Sequence, residues 1–332
     1  MRYGIPYKGS KNSIAEWIIA ELPRADTFID LFMGGGAVTH AALISGKYKN
    51  FIANDIDGRM PKLFLDSVYG KYTLENHKEW ISREEFISKK DTDAYIALVW
   101  SFGNNGKDYL YSKEIEPFKK AYHYAVFFKD YSLFEEQGIY IPHSFENDIY
   151  KRYAITKRSL MAKYDSIKCD KTFRTFTSLQ SNEFLQALQN LQALQNLQAL
   201  QNLQALQNLQ ALQNDYRDVH IPSRSLIYCD IPYEGTNCGK YGGFNHSEFY
   251  EWAKDQENIY ISEYQMPEDD FVQIAKINKR QLSTTYGSGD LIEEKIFTNK
   301  KTYNAMPKER KRMAMLNMAR QQTIFDFIGE TI

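Results

Sequence analysis

Asp230-Ile231-Pro232-Tyr233 sets a carboxylate, a backbone carbonyl, a proline and an aromatic ring in four successive residues. A carboxylate and a neighbouring carbonyl can accept both hydrogens of an amine whose lone pair is delocalised into a ring. That localises the pair and turns a poor nucleophile towards an electrophile. Pro232 fixes φ in the turn, and Tyr233 offers a face on which a planar ring can stack. The competing reading is a buried aspartate at a strand end with a structural tyrosine. A second group, Asp30-Leu31-Phe32-Met33-Gly34-Gly35-Gly36, stands between an apolar run and a helical pattern. Glycines there let a ligand approach the backbone, and the helix start offers free N–H groups. Taken alone, a tight strand-to-helix turn explains them equally well. Asp55 follows Asp30 by 25 residues, and an acid near that offset can hydrogen-bond ribose hydroxyls. Together these residues point to a nucleoside-bearing cofactor.

The elements that must hold these groups alternate. Ser13–Leu22 has helical spacing and stops before Pro23, Thr27–Phe32 reads as a strand, Ala37–Leu43 as a helix and Phe51–Asp55 as a second strand. Ser225–Cys229 is a strand running into Asp230; Phe249–Ala253 reads as helix and Asn258–Ser262 as a buried strand. Strand, glycine turn, helix, strand is the opening of a doubly wound α/β sheet. From about residue 66 to 150 the pattern turns helical, aromatic and charge-rich. A basic run follows, with Lys151, Arg152, Lys157, Arg158, Lys163, Lys168, Lys171 and Arg174 against Asp165 and Asp170. Tyr150, Tyr153, Tyr164, Phe173 and Phe176 interleave with it. A solvated helix face is one reading; phosphate neutralisation with base stacking is the other. Residues 185–214 are five copies of Leu-Gln-Ala-Leu-Gln-Asn, read as an expandable spacer ahead of the returning sheet. A three-residue leucine period winds around an α-helix and aligns only on a tighter helix, which is normally short.

Composition removes several classes. The 332 residues carry 41 Lys and Arg against 42 Asp and Glu, a net charge of −1 that says nothing about partners. No run approaches the roughly 18–20 apolar residues of a membrane span, and no secretory pattern opens the chain, so a cytoplasmic protein is expected. The 3 cysteines form no CxxC pair, and neither HExxH nor Gly-Lys followed by Ser or Thr occurs. No metal site is therefore expected.

The 230–233 tetrapeptide, taken with the glycine turn and Asp55, resembles the DPPY signature of amino-group DNA methyltransferases. Tyr7-Lys8-Gly9-Ser10-Lys11 is similar to the first cofactor motif of the Dam-type, alpha-group adenine-N6 enzymes. The resemblance covers nearly the whole chain except the repeat, with its motifs in the alpha-group order. It implies a Rossmann-like class I methyltransferase sheet with an inserted, mainly helical target-recognition region. The catalytic domain would comprise 1–65 and 215–332, the recognition region 66–180, and the repeat 185–214 a separate insert. S-adenosylmethionine would be held by Tyr7, Lys11, Asp30, Phe32, Gly34, Gly36, Asp55, Asp215 and Asp230. Asp230, Ile231, Pro232 and Tyr233 would hold and activate an adenine flipped out of double-stranded DNA. Lys151, Arg152, Lys157, Arg158, Lys163, Lys171 and Arg174 would contact that DNA.

The family usually has proline where Ile231 stands. The carbonyl survives the change but the turn is less rigid, so the alternative is a weak or inactive methyltransferase-fold module that binds DNA. Cytosine C5 chemistry is set aside because no proline precedes a cysteine. Enzymes acting on cytosine N4 more often have serine at the position of Asp230. Gly235–Gly243, with Lys240 and Tyr241, would either close over the flipped base or form a plain loop. Gln321-Gln322-Thr323-Ile324-Phe325 resembles the peptide by which bacterial replication proteins dock on the sliding clamp, but five residues match often by chance and a packed terminal element is the favoured reading.

Overall fold

The computed structural model describes residues 3–73, 75, 78–165, 190, 192–201, 203–233, 243–280 and 291–316. The chain divides into a sheet unit, Met1–Gly4, Ser10–Lys62 and Asn202–Ile332, and a helical unit, Ile5–Gly9 and Leu63–Gln201. Compared with the bounds expected from sequence, the sheet unit also takes in 202–214 and leaves 5–9 and 63–65 to the helical unit.

Among the described residues seven strands form one sheet: β1 (Thr27–Asp30), β2 (Asn50–Asn54), β3 (Leu209–Leu212), β4 (Ser225–Asp230), β5 (Ile259–Glu263), β6 (Phe271–Arg280) and β7 (Leu291–Asn299). Their order is β3-β2-β1-β4-β5-β7-β6. The first five are parallel, and β7 runs antiparallel to both β5 and β6. This is the α/β architecture the alternating pattern implied. Central parallel strands are covered on both faces, so they read as unbroken apolar runs; β1 and β5 are buried throughout, and β4 up to Asp230. The β6–β7 ribbon was not marked by sequence, because Lys276, Lys279, Glu293 and Glu294 interrupt its apolar alternation.

The chain leaves β1 towards β2 on one side and returns through β4 on the other. The crevice of such a sheet lies where the strand order switches, outside the carboxyl ends of the strands. Asp30 and Asp230 end the two strands that flank this point, with Asp30 in register with Tyr228. Helix α1 (Ala15–Glu21) precedes β1 and α2 (Ala37–Ile44) follows the glycine turn. Lys47 donates to the carbonyls of Ile19, Ala20 and Leu22, satisfying the carboxyl end of α1.

Helix α3 (Arg59–Val68) carries the chain into the helical unit. There α4 (Arg83–Lys89) and α5 (Ala94–Val99) are capped by Ser82 and Asp93, which accept the N–H groups of Glu85 and Ile96. Helices α6 (Glu116–Phe128), α7 (Ser132–Glu136) and α8 (Ile149–Asp165) enclose a core of Tyr122, Val126, Phe127, Tyr131, Phe134, Tyr153 and Leu160. Ile149, Arg152, Tyr153, Thr156 and Leu160 form the inward face of α8 at helical spacing, leaving Lys151 and Arg158 outside.

The described residues of the repeat take three conformations. Residues 192–196 are α-helical, Leu197–Leu200 form one 3₁₀ turn with both leucines buried, and Gln204–Gln207 form the short α9. The last copy is β3, an edge strand of the sheet. Two asparagines fasten it: Asn208 donates to the Lys49 carbonyl, and Asn214 exchanges two 3.0 Å hydrogen bonds with the Asn54 side chain. The spacer reading is thus corrected for Leu209–Leu212, which form a strand of the sheet, while residues 203–208 lie with it in the sheet unit. Because the copies are identical, deleting any one leaves the same sequence from residue 191 onward. Deletion of one copy is therefore expected to keep the melting temperature within about 3 °C, and deletion of three to lower it by about 10 °C or more as buried leucines are lost. Calorimetry of the deletion series checks this; a fall of the larger size after one deletion would refute it.

Beyond β4, Asn245 caps α10 (His246–Asp255) and Asn299 caps α11 (Lys300–Ala305). Among the described residues no helix is long and apolar enough to cross a membrane, and no group of His, Cys, Asp or Glu could hold a metal ion.

Candidate active site

Asp30 closes β1 with its side chain buried. Its Oδ2 accepts the Thr39 hydroxyl at 2.7 Å, while its Oδ1 is buried without a hydrogen-bond partner. Burial pushes the carboxyl up to about 7; Thr39 opposes the shift, and the charges of Asp230 and Asp55 add to it. After Asp30 the chain turns through Gly34 and Gly36, both left-handed at φ 46° and 66°. Asp55 fastens this turn, its Oδ2 accepting the Gly34 N–H at 2.7 Å and its Oδ1 the Asp57 N–H at 2.8 Å.

Two residues that sequence did not single out complete the arrangement. Asn54 donates to the carbonyls of Leu31 and Asn214, tying the ends of β1, β2 and β3 together. Gly4 donates its N–H to His40 Nδ1 at 3.1 Å and packs under the glycine turn, where an added Cβ would meet the Gly35 oxygen at 2.4 Å. Burial pulls His40 down to about 4, which keeps Nδ1 an acceptor. No local pattern marks either Asn54 or Gly4.

Phe32 packs against Tyr216, Phe244 and Phe249, forming an aromatic wall beside the turn. Asp215 follows Asn214 at the end of β3. Its carboxylate accepts from Arg217 Nε at 2.8 Å and Nη2 at 2.9 Å, and these bonds hold its pKa below the ordinary value. Tyr7 is half-buried and belongs to the helical unit.

At the end of β4, Asp230 Oδ1 lies 3.1 Å from Lys11 Nζ. The same ammonium is 3.5 Å from Glu294 Oε2 on β7 and 4.3 Å from the centre of the Tyr233 ring. Lys11 is only 6% exposed. Burial alone would lower its pKa, but Asp230 and Glu294 outweigh that and raise it, so the lysine is charged. Tyr233 donates its hydroxyl to Glu294 Oε2 at 2.7 Å and meets Tyr264 edge to face at 4.4 Å. Burial, then Asp230 and Glu294, drive the phenol well above its usual range, so it remains a donor. His246 Nε2 donates to the Pro232 carbonyl at 2.7 Å, bracing the turn from α10. The Ile231 side chain is buried in the sheet core, so isoleucine adds packing where proline would add only rigidity.

In the basic run, Lys151 and Arg158 are exposed and Lys157 is half-buried. Arg152 departs from the expectation: it is 4% exposed, and its guanidinium donates to the carbonyls of Val126, Glu146 and Asn147. Helical periodicity turns it inward, where it satisfies carbonyls instead of facing a phosphate. Tyr153 likewise belongs to the core. The Lys163 side chain, Lys171 and Arg174, the loop residues 234–242 and the 321–325 peptide lie outside the described residues.

The carboxyl edge of the sheet thus gathers a buried acid with one unpartnered oxygen, a glycine turn held by a second acid, and a carboxylate–proline–tyrosine turn. No curated protein is similar enough to serve as a named relative. The family model for D12 class N6 adenine-specific DNA methyltransferases matches residues 7–265. That span includes the glycine turn, Asp55 and the 230–233 turn, and the chain belongs to this family of adenine-specific DNA methyltransferases.

Proposed function

We propose that the chain transfers a methyl group from S-adenosylmethionine to the N6 amine of an adenine extruded from double-stranded DNA. The observation that carries this reading is Asp230 at the switch point, beside a charged Lys11 and next to the Tyr233 ring. The residues fit the cofactor. The unpartnered buried Oδ1 of Asp30 suits its ammonium group, the glycine turn and Asp55 suit its ribose, and Phe32 and Asp215 would hold its adenine. When bound, the cofactor supplies a methyl group made electrophilic by a sulfonium.

The chain's own part is to hold and activate the amine. Asp230 accepts a hydrogen bond from one N6 hydrogen and the Ile231 carbonyl from the other, which localises the nitrogen lone pair; once the nitrogen carries the methyl group, its surplus proton passes to the Asp230 carboxylate. Tyr233 stacks on the extruded base, which must leave the duplex to be reached. Lys151 and Arg158, exposed on α8 beside half-exposed Tyr150, are suited to phosphate contact.

Labelled S-adenosylmethionine incubated with unmodified genomic DNA, followed by nucleoside analysis, tests the reading. Label in N6-methyladenine is expected. No transfer while cofactor and DNA both bind would replace this reading with the binding module.

Asp30 adds a pH dependence. Its folded pKa of about 7 lies above the unfolded value of 3.8. In the free enzyme its contribution to stability is therefore full below about pH 3.8 and is lost as pH rises through about 7. Binding a cationic ligand favours the ionised form and releases that proton. Affinity for S-adenosylhomocysteine should therefore rise severalfold between about pH 6 and 7.5, then level off. Calorimetric titration measures it, and Asp30→Asn should bind weakly with no such slope. An identical slope in that variant would assign the titration elsewhere.

A further inference from the structure

We infer that Glu294 is the positioning residue that lets Asp230 exchange its lysine for the adenine amine. The inference rests on the methyltransferase reading above, but Glu294 lies beyond residues 7–265, the part matched by the family. It sits on β7, 4% exposed, with Oε2 held by the Tyr233 hydroxyl at 2.7 Å and 3.5 Å from Lys11 Nζ. Lys11 is therefore shared between two carboxylates, 3.1 Å from Asp230 and 3.5 Å from Glu294.

Asp230 presents Oδ1 to the ammonium, so swinging that carboxylate towards an incoming amine hydrogen weakens its hold on Lys11. If Asp230 were the sole partner of a buried ammonium, that swing would leave an uncompensated charge, which is strongly unfavourable. Glu294 removes the conflict: the ammonium moves the few tenths of an ångström to its second carboxylate while Asp230 engages the base. Through the same oxygen Glu294 anchors the Tyr233 ring against which the base stacks. One side chain thereby sets both the acceptor and the stacking face. No bond to hydrogen is broken in this exchange, so Lys11 stays an ammonium throughout.

Glu294→Gln tests it, because the amide oxygen can still accept the Tyr233 hydroxyl while the charge is gone. We expect kcat on unmethylated genomic DNA to fall about 10–100-fold, with KM for S-adenosylmethionine within about threefold. Binding stoichiometry for S-adenosylhomocysteine should stay at the wild-type value, which a loss of folded protein would lower. Glu294→Asp keeps the charge and should recover most of the rate. If Glu294→Gln does not fold, Lys11→Gln is compared with Lys11→Gln/Glu294→Gln. Without the ammonium the second change should alter the rate less than about twofold, since coupled residues are non-additive. An unimpaired Glu294→Gln enzyme, or a further large loss in the double variant, overturns the role of Glu294 and leaves the methyltransferase reading standing. Absence of methyl transfer in the wild-type protein overturns that reading and this inference with it.

Discussion

Replacing Asp230 with alanine is expected to lower methyl transfer by about a thousand-fold, the scale on which a group that stabilises only the reacting state is missed. Asp230 ends β4 at the switch point with its side chain 22% exposed, so it faces the crevice and is not core packing. Its removal leaves Lys11 near Glu294, so the buried ammonium keeps a counter-charge and the fold is spared. The melting temperature should therefore fall by less than about 5 °C. Asp230→Asn sharpens the result, because an amide keeps the shape but presents a donor and no charge, and it should be nearly as inactive. Single-turnover measurement with labelled cofactor gives the chemical step free of product release. Turnover within tenfold of wild type in either variant would remove Asp230 from the mechanism.

Gly4→Ala is expected to have the largest effect on the fold of the site. At φ +71° an alanine is strained, and its Cβ would stand 2.4 Å from the Gly35 oxygen and 2.6 Å from the Ala37 nitrogen. Both are backbone atoms of the turn, so relief requires moving the turn itself. Strain and overpacking together cost about 2–4 kcal/mol, a fall in melting temperature of about 5–12 °C. Displacement of the Gly34–Gly36 segment should also weaken S-adenosylhomocysteine binding at least about tenfold. Gly46→Ala is the control: its φ is +64°, but nothing lies within 4 Å of its Cβ, so only the strain of about 1 kcal/mol applies. Equal destabilisation by the two changes would show that the clash with the turn is not what matters.

Both predictions involve residues whose roles were legible to different degrees. Asp230, Asp30 and Asp55 could be found from the chain alone, because each ends a short apolar run and is followed by a turn, a signal contained in a few neighbouring residues. The order of those runs also suffices for a doubly wound sheet. Asn54 reads only as one more residue of a strand until its side chain is seen joining three strand ends. Glu294 is 61 residues from Tyr233 and arrives on a strand whose alternation is obscured by charge. Arg152 shares its sequence neighbourhood with Lys151, yet one step around the helix sends it inward to three carbonyls.

The repeat separates the two kinds of information most clearly. Sequence determined that the copies are uncharged, leucine-rich and interchangeable. Six identical residues are nonetheless an α-helix at 192–196, a 3₁₀ turn at 197–200 and a strand at 209–212. Local propensity cannot differ among copies of the same peptide, so the difference comes from what each copy meets. The final copy finds the open edge of β2, whose backbone groups it pairs, and Asn54, whose side chain clamps its end. Edge pairing and buried leucines outweigh the few tenths of a kcal/mol per residue by which propensity favours one state over another. The chemistry of the site was written locally in the sequence; which strand completes its sheet, and which acid balances its lysine, were decided by contacts between distant residues.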